Sequence, residues 1–373
     1  MPAIKNLHIV GNEIKFIKPF INYVNKNFDA EEHLFLILDS SKENAVEMEG
    51  FDNVRIAKPY NCDNNVIRKV MLLYKIPISM IVLFYYFRRS KKVHLHGIFD
   101  KKVVLFLYAF KFFSAKVYWQ MWGGGDLDIP TKAQSNTIWY KITKKVKGSF
   151  YGYVSYLPGD YRLAKNLYNC KGKYYESLMY ESNTFNEIKL KKQNDDVIRI
   201  QVGNSADSAN NHLEILKSLK KFKDEKIELY CILSYGEKPW SPGWAQKVIK
   251  LGKELFGSKF IPVTDFMCFD EYLEFLGKID IAIFAHKRQQ AMGNTISLLG
   301  LGKKVYLRSD ITSWELFKDI GVKVFDVNDL AISTLNLHDK EANIKAVKYH
   351  FSKEKYYQQL KTLFEDSEHA VSY

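Results

Sequence analysis

The sequence predicts an α/β protein built from two doubly wound, parallel-sheet domains, and three observations lead there. At 373 residues the chain exceeds one ordinary hydrophobic core and suits two domains. Short runs of β-branched and aromatic residues alternate with longer amphipathic stretches from end to end, which is the rhythm of βαβ units. Between two such sets lies NTFNEIKLKKQNDD, Asn183 to Asp196, polar and without apolar periodicity. That linker divides the chain into domains 1–188 and 189–373.

The elements follow in order. In the first domain NLHIV, LFLILD, KVHLHG, AKVYWQMW and YGYVSY read as strands; in the second, VIRIQVG, IELYCIL, KFIPVT, IDIAIF, KKVYLR and VKVFDV do. The final segment, DKEANIKAVKYHFSKEKYYQQLKTLFEDS, reads as one or two helices whose last turns have the option of packing back on the first domain. The stretch Val66 to Lys92 is mostly apolar but is broken by Lys75 and Pro77, so it falls short of the ~20 uninterrupted apolar residues of a spanning helix. Two readings stand open for it: a buried helix pair with basic ends, or an apolar surface dipping into an anionic leaflet between Arg68, Lys69 and Arg88, Arg89, Lys91, Lys92.

Composition narrows the function. With 47% apolar and 26% charged residues the chain is globular, not disordered. The formal charge is +13, and residues 1–190 carry 28 Lys and Arg against 17 Asp and Glu, whereas the remainder carries 27 against 25. The excess lies in the first half and suggests an anionic partner there: a membrane surface, a phosphate-bearing substrate or nucleic acid. No signature of a nucleic-acid module accompanies it. The cysteines Cys62, Cys170, Cys231 and Cys268 are scattered, without a zinc or disulfide spacing, which fits a reducing cytoplasm. The N-terminus holds no apolar run of signal-peptide length.

In parallel sheets, ligands bind outside the carboxyl ends of the strands, so the loops there are the candidates for chemistry. After VIRIQV comes GNSADSANNH: Gly203 lets the chain turn, Asn204 and Ser205 offer donors, and Asp207 or Ser208 caps a helix whose N-terminus suits a phosphate. The same pattern also makes an ordinary capped turn. After IDIAIF comes AHKRQQAMGN. Here Arg288 offers a planar fork to phosphate oxygens, Gln289 and Gln290 offer donors and acceptors to sugar hydroxyls, and Gly293, before Asn294, admits close approach to the backbone. Two such loops on one edge favour a diphosphate and a sugar between them. In the loop VTDFMC, Phe266 is available to stack on a nucleobase, although such a residue also serves in cores.

The first domain adds HLHGIFD and WQMWGGGDLD. His94 and His96 share a strand face, and three glycines place Asp126 beyond the strand end, at the mouth of a cleft. Asp126 and His96 are the candidates for the base that removes a proton from an attacking hydroxyl, His96 having the alternative of a satisfied strand-end residue. DLD matches a D-x-D metal motif literally, but that motif belongs to another architecture, so no metal and no resident cofactor are expected. The phosphate-loop, nucleophile-elbow and zinc-protease motifs do not occur.

Taken together, HLHGIF, WQMWGGGDLD, GNSADSANNH, FDEYLEFLGKIDIAIFAHKRQQAMGN and ISLLGLGKKVYLRSD resemble the bacterial 4-acetamido-4,6-dideoxygalactosyltransferases, which extend a lipid-linked saccharide in enterobacterial common antigen synthesis. The resemblance runs from His94 to Asp326. It implies a GT-B fold, with two Rossmann-like domains facing a central cleft, a dTDP-activated amino sugar (Fuc4NAc) as donor, and an undecaprenyl-diphosphate-linked acceptor at the inner face of the cytoplasmic membrane. Carried over by position, it points to His96, Gly97 and Asp126; to Gly203, Asn204, Ser205, Asn210 and His212; and to Arg288, Gln289, Gln290 and Gly293. The glycine run is one residue longer than the family pattern and AMGN replaces a more aliphatic turn, which admits a relative using another nucleotide sugar in O-antigen or capsule synthesis. A sugar-nucleotide epimerase of the same two-domain fold is the alternative enzyme, and a non-catalytic membrane scaffold the alternative of another class.

Overall fold

The computed structural model describes residues 4–11, 14–38, 46–48, 50–57, 65–98, 100–188 and 195–365. The chain divides into two compact units, Met1–Glu181 with Tyr356–Tyr373, and Ser182–Lys355. Residues 189–194 of the expected linker, and Cys62, lie outside the described residues.

The first unit is a seven-stranded sheet of order β3-β2-β1-β4-β5-β6-β7, parallel throughout. Its strands are β1 (Ile4–Val10), β2 (His33–Ile37), β3 (Val54–Ile56), β4 (Ser90–His96), β5 (Val117–Gln120), β6 (Gly152–Ser155) and β7 (Lys173–Glu176). The helices that return the chain are α1 (Ile14–Asn27), α2 (Asn65–Arg89), α3 (Lys101–Ala109), α4 (Ile138–Lys147) and α5 (Pro158–Tyr168). Strands β3 and β7 have three and four residues and lie at the two edges. Neither is a buried apolar run, since Arg55, Lys173 and Glu176 are exposed, and their sequences give no strand signal.

Alternation along β1, β4 and β5 separates two faces. Leu7, Ile9, Val93, Leu95, Val117 and Trp119 join the apolar core with Leu83 and Phe87 of α2 and Phe106 of α3. The opposite face carries Asn6, His8, His94, His96, Tyr118 and Gln120, all buried. What covers it comes from both ends of the chain. Phe20 of α1 meets the His8 and His96 rings at 5.8 and 5.0 Å. Phe364, from the last helix (Lys353–Glu365), meets the rings of His33, His94 and His8 at 4.5, 5.4 and 5.7 Å. The buried Lys92 ammonium donates to the carbonyls of Leu363 and Phe364, each at 3.0 Å, which places a cation on the terminal carbonyls of that helix.

The second unit is a six-stranded parallel sheet of order β10-β9-β8-β11-β12-β13. It comprises β8 (Ile198–Val202), β9 (Ile227–Ile232), β10 (Phe260–Val263), β11 (Ile281–Phe284), β12 (Lys304–Leu307) and β13 (Phe325–Asp326). All six strands read from the sequence are present. The helices are α6 (His212–Leu219), α7 (Trp244–Phe256), α8 (Phe269–Lys278), α9 (Met292–Gly300), α10 (Thr312–Asp319) and α11 (Leu337–His350); the last helix of the chain is α12. Ile200, Val202, Leu229, Cys231, Ile283 and Leu216 centre the core. In both sheets the strand order reverses beside the first strand, between β1 and β4 and between β8 and β11. A crevice opens at such a reversal because the connections on its two sides leave in opposite directions.

No helix among the described residues is long and apolar enough to cross a membrane. The stretch beginning at Val66 is one helix, α2, with Pro77 inside it; Arg68 and Lys69 lie outside its described side chains. Cys170, Cys231 and Cys268 are free thiols.

Candidate active site

The second unit's reversal point is built around Asn210. β8 runs into Gly203, whose φ of +68° is a left-handed conformation; a Cβ there would stand 2.5 Å from His212 Nε2 and 2.9 Å from Asn210 Oδ1. Only glycine fits both constraints. The Asn204 amide donates to Asn210 Oδ1 at 2.8 Å, and Asn210 Nδ2 donates to Ser205 Oγ at 3.2 Å and to the Asp207 carbonyl at 3.0 Å. Asp207 caps the turn Ser208–Asn210 by accepting from Ala209 N. From the other strand, His286 Nε2 lies 2.9 Å from Asn210 Oδ1 and donates to it, since that oxygen is an acceptor. Asn211 Nδ2 donates to the Ala285 carbonyl at 2.6 Å. The loops after β8 and β11 are thus one hydrogen-bonded body.

Two imidazoles are buried in it. Trp244 Nε1 donates to His212 Nδ1 at 3.1 Å, which puts the His212 proton on Nε2, and that nitrogen has no hydrogen-bond partner of good geometry. Burial lowers the His212 pKa to about 4, with the Ser205 backbone opposing the shift. Burial, followed by the His212 and Arg288 charges, lowers that of His286 to about 3. Both are neutral at pH 7, and the His212 Nε2–H lies beside Gly203 and the Ser205 backbone.

Beyond His286 the loop turns outward. Lys287 and Arg288 are exposed, and Gln289 and Gln290 are half-buried, with Gln290 Oε1 unpartnered. Ala291 adopts a left-handed φ of 59° and begins α9 without a side-chain cap, so the first amides of that helix lack the usual side-chain acceptor. Asn294 lies in this first turn, half-buried. The close approach that Gly293 admits is to the protein itself: a Cβ there would stand 2.6 Å from the Ser182 carbonyl. Phe266, in the loop after β10, is 78% exposed and is no core residue. It is separated from β8 by β9.

Sequence reasoning missed the loop after β9. Its Tyr235 carbonyl accepts from Ala206 N at 2.6 Å, and Gly236 lies so near that its Cβ would meet Ser205 Cβ at 3.1 Å. Tyr235 and Trp240 are exposed here, and Trp244 holds His212. The available signal was SYGEKPWSPGW, a glycine- and proline-rich strand end with two tryptophans.

At the first unit's reversal point the expected residues turn inward. Asp126, expected at the mouth of a cleft, is fully buried. Its Oδ1 accepts from Ile98 N at 2.9 Å, and its Oδ2 accepts from Trp122 N at 3.1 Å and from Trp119 Nε1 at 3.3 Å. Lys147 lies 3.6 Å from the carboxylate and donates to the Asp126 carbonyl at 2.6 Å. Gly123 and Gly125 have φ of +74° and +84°, the conformations expected of the glycine run. Asp126 therefore ties the loop after β4, at Gly97 and Ile98, to the loop after β5. Asp128, two residues on, is exposed.

His96 is engaged at both nitrogens, Nδ1 with the Tyr180 hydroxyl at 2.7 Å and Nε2 with His8 Nδ1 at 3.1 Å; His8 Nε2 continues to His33 Nδ1 at 3.0 Å. Burial lowers the His96 pKa to about 3, and burial, then Lys5, lowers that of His33 to about 4 against Asp29. His8 and His94 are held well below the ordinary value, first by burial, then by the neighbouring imidazoles and, for His94, Lys92. Among the described residues no group of three or more His, Cys, Asp or Glu is placed to hold a metal ion.

Residues 75–368 match the family described as 4-alpha-L-fucosyltransferase glycosyl transferase group 56. The chain belongs to this glycosyltransferase family. It is the Fuc4NAc transferase family of enterobacterial common antigen synthesis that the strand-end motifs resemble. Solved structures of the same fold include a glycosyltransferase from Rickettsia africae ESF-5, with a TM-score of 0.64 and 16% identity over 98% of this chain and 99% of that one. Anabaena HepE, in complex with UDP and glucose, has a TM-score of 0.66 and 8% identity over 97% and 100%. WaaG, a glycosyltransferase of lipopolysaccharide biosynthesis, has 0.56 and 9% over 96% and 99%. The group 56 chain is a transferase of the GT-B fold class, and the epimerase reading has no support from its family.

Proposed function

We propose that this group 56 transferase moves an N-acetylated 6-deoxy amino sugar of the Fuc4NAc type from a dTDP-linked donor to a lipid-linked saccharide, working on the inner face of the cytoplasmic membrane. The observation that carries the donor site is the Asn210 junction, which fuses the loops after β8 and β11 at the strand-order reversal, with the start of α9 left without a side-chain cap. The UDP and glucose held by HepE support a nucleoside diphosphate sugar as the donor class.

In this reading the diphosphate lies over Gly203 and Ser205 toward the uncapped start of α9, with Arg288 neutralising it and the buried His212 holding the turn from beneath. Gln289, Gln290 and Asn294 address the sugar, and the exposed Phe266 stacks on the base. Asn204 acts by holding the turn, since its amide is spent on Asn210. During transfer the acceptor oxygen bonds to the anomeric carbon, its proton passes to a base, and the bond to the diphosphate breaks with its electron pair leaving on that oxygen. Charge grows on the diphosphate, where Arg288 and the helix dipole stabilise it.

Asp126 and His96, the sequence candidates for the base, have no lone pair turned to solvent as placed. We assign them to holding the strand-end loops and give the proton to Asp128, the solvent-facing carboxylate of the glycine loop. The test is a thermal-shift panel of dTDP-, UDP- and GDP-sugars, followed by transfer to an undecaprenyl-diphosphate saccharide. A dTDP-amino sugar at about a hundred times its Kd raises Tm by roughly 5–10 °C and is transferred. If stabilisation comes from GDP- or UDP-sugars alone, the dTDP assignment fails. If donor is consumed without any lipid product, the acceptor assignment fails.

A further inference from the structure

We propose that α2, α3, the turn between α3 and β5, and α4 together form the face by which the first unit lies on an anionic lipid bilayer. The proposal deepens the lipid-linked acceptor reading, and rests on it for its purpose. Side chains of α2 are described from residue 76, and Ile78, Ile81 and Tyr85 recur at helical spacing with exposures of 49%, 69% and 43%. The stripe continues off the helix. Phe84 packs on Phe110 at 5.2 Å, and Phe110 on Phe112 at 6.2 Å, with Phe112 itself 52% exposed. Tyr108 of α3, 45% exposed, lies beneath the Lys145 ammonium of α4 at 5.5 Å. A soluble surface scatters such residues singly, whereas these join across three helices.

Charge selects the occupant. No Asp or Glu occurs at residues 65–98, 101–125 or 129–159, so the acids of this region are Asp100, which caps α3, and Asp126 and Asp128 of the glycine loop. Arg88 and Lys91 flank one end of the stripe, Lys111 its middle, and Lys141, Lys144 and Lys145 the α4 end, all exposed. Arg89 stacks over Tyr85 at 5.2 Å, as Lys145 does over Tyr108. An apolar ridge with amphipathic tyrosines and a cationic rim without acids matches the boundary between acyl chains and anionic headgroups, in a protein whose described helices do not span. A second copy of the same face would set these cations against each other.

The experiment is vesicle flotation of the full chain on phosphatidylcholine with and without phosphatidylglycerol, with two variants: Ile81→Ser/Tyr85→Ser/Phe112→Ser and Lys141→Glu/Lys144→Glu/Lys145→Glu. All six residues are exposed and outside the strand-end loops. We expect binding to the anionic vesicles, weaker binding to phosphatidylcholine, a loss of roughly a hundredfold from the charge reversal, and a remnant in the apolar variant that salt abolishes. Donor-induced thermal shift stays at the wild-type value in both. Equal binding to the two vesicle types overturns the proposal, as does a dimer in solution that the apolar variant converts to monomer. Vesicle binding with no use of a lipid acceptor retains the surface and rejects the acceptor reading; transfer to that acceptor in detergent without vesicle binding does the reverse.

Discussion

Acidification should unfold the first unit well before ordinary carboxylate titration. The perturbation acts on His8, His33, His94 and His96, four buried imidazoles on one sheet face, two of them held at about 4 and about 3 and the others well below their ordinary value. The unfolded chain binds protons at 6.5, and the folded chain only far lower, so the unfolded state takes up more protons as pH falls. Stability is therefore complete above 6.5 and is lost progressively toward the folded values. One unit below 6.5, each histidine costs the folded state ~1.4 kcal/mol, or ~6 kcal/mol for the four, against the ~5–15 kcal/mol that holds a domain together. For a unit of this size that is a fall in Tm of roughly 12–24 °C between neutral pH and about pH 5.5. The second unit, with His212 and His286, should lose about half as much. Differential scanning calorimetry across that range reads both, and the fully buried Trp119 reports the first unit by fluorescence. A Tm that stays within about 2 °C over the same interval would refute the neutral, sealed imidazole face.

Arg288→Ala should weaken donor binding by roughly 10- to 150-fold, the worth of a charged hydrogen bond to phosphate, while leaving Tm unchanged because the side chain is exposed; unchanged affinity by calorimetry removes Arg288 from the diphosphate. Gly203→Ala forces a Cβ toward His212 Nε2 at a left-handed φ, so a destabilisation of about 1–3 kcal/mol and loss of donor-induced thermal shift are expected. Full retention of both would mean that the turn relaxes freely. Asp126→Asn strands the Lys147 ammonium, itself buried, and should cost about 3 kcal/mol and a matching drop in Tm. Asp128→Asn should keep the wild-type Tm and lose turnover at saturating donor; normal kcat in that variant would return the base to another residue.

The architecture was largely legible because parallel strands buried on both faces leave continuous β-branched runs, and eleven such runs became strands. Val54–Ile56 and Lys173–Glu176 escaped because neither is a buried apolar run: Arg55 interrupts the first and is exposed, and the second begins and ends on the exposed Lys173 and Glu176. Motif positions were legible too, since Gly203 and the glycine run mark backbone conformations that other residues resist. Direction was not. Asp126, His96 and Gly293 stand at or just beyond strand ends as the pattern indicates, yet each meets a partner distant in sequence: Ile98 and Lys147, His8 and Tyr180, Ser182. A sequence shows that a polar group stands near a strand end; which neighbour its lone pairs meet is decided by tertiary packing.

The seal that Phe364 and Lys92 make over the imidazole face has a consequence for how the protein is born. Ribosomal synthesis delivers the first sheet early, but the residues that roof it and give its lysine an acceptor are made only after the whole second sheet. The half made first must wait, its polar floor wet, while the half made second is already free to close. Maturation of the nascent chain therefore runs against the order of translation, and a ribosome stalled shortly before Leu363 would carry a finished second sheet beside an unfinished first.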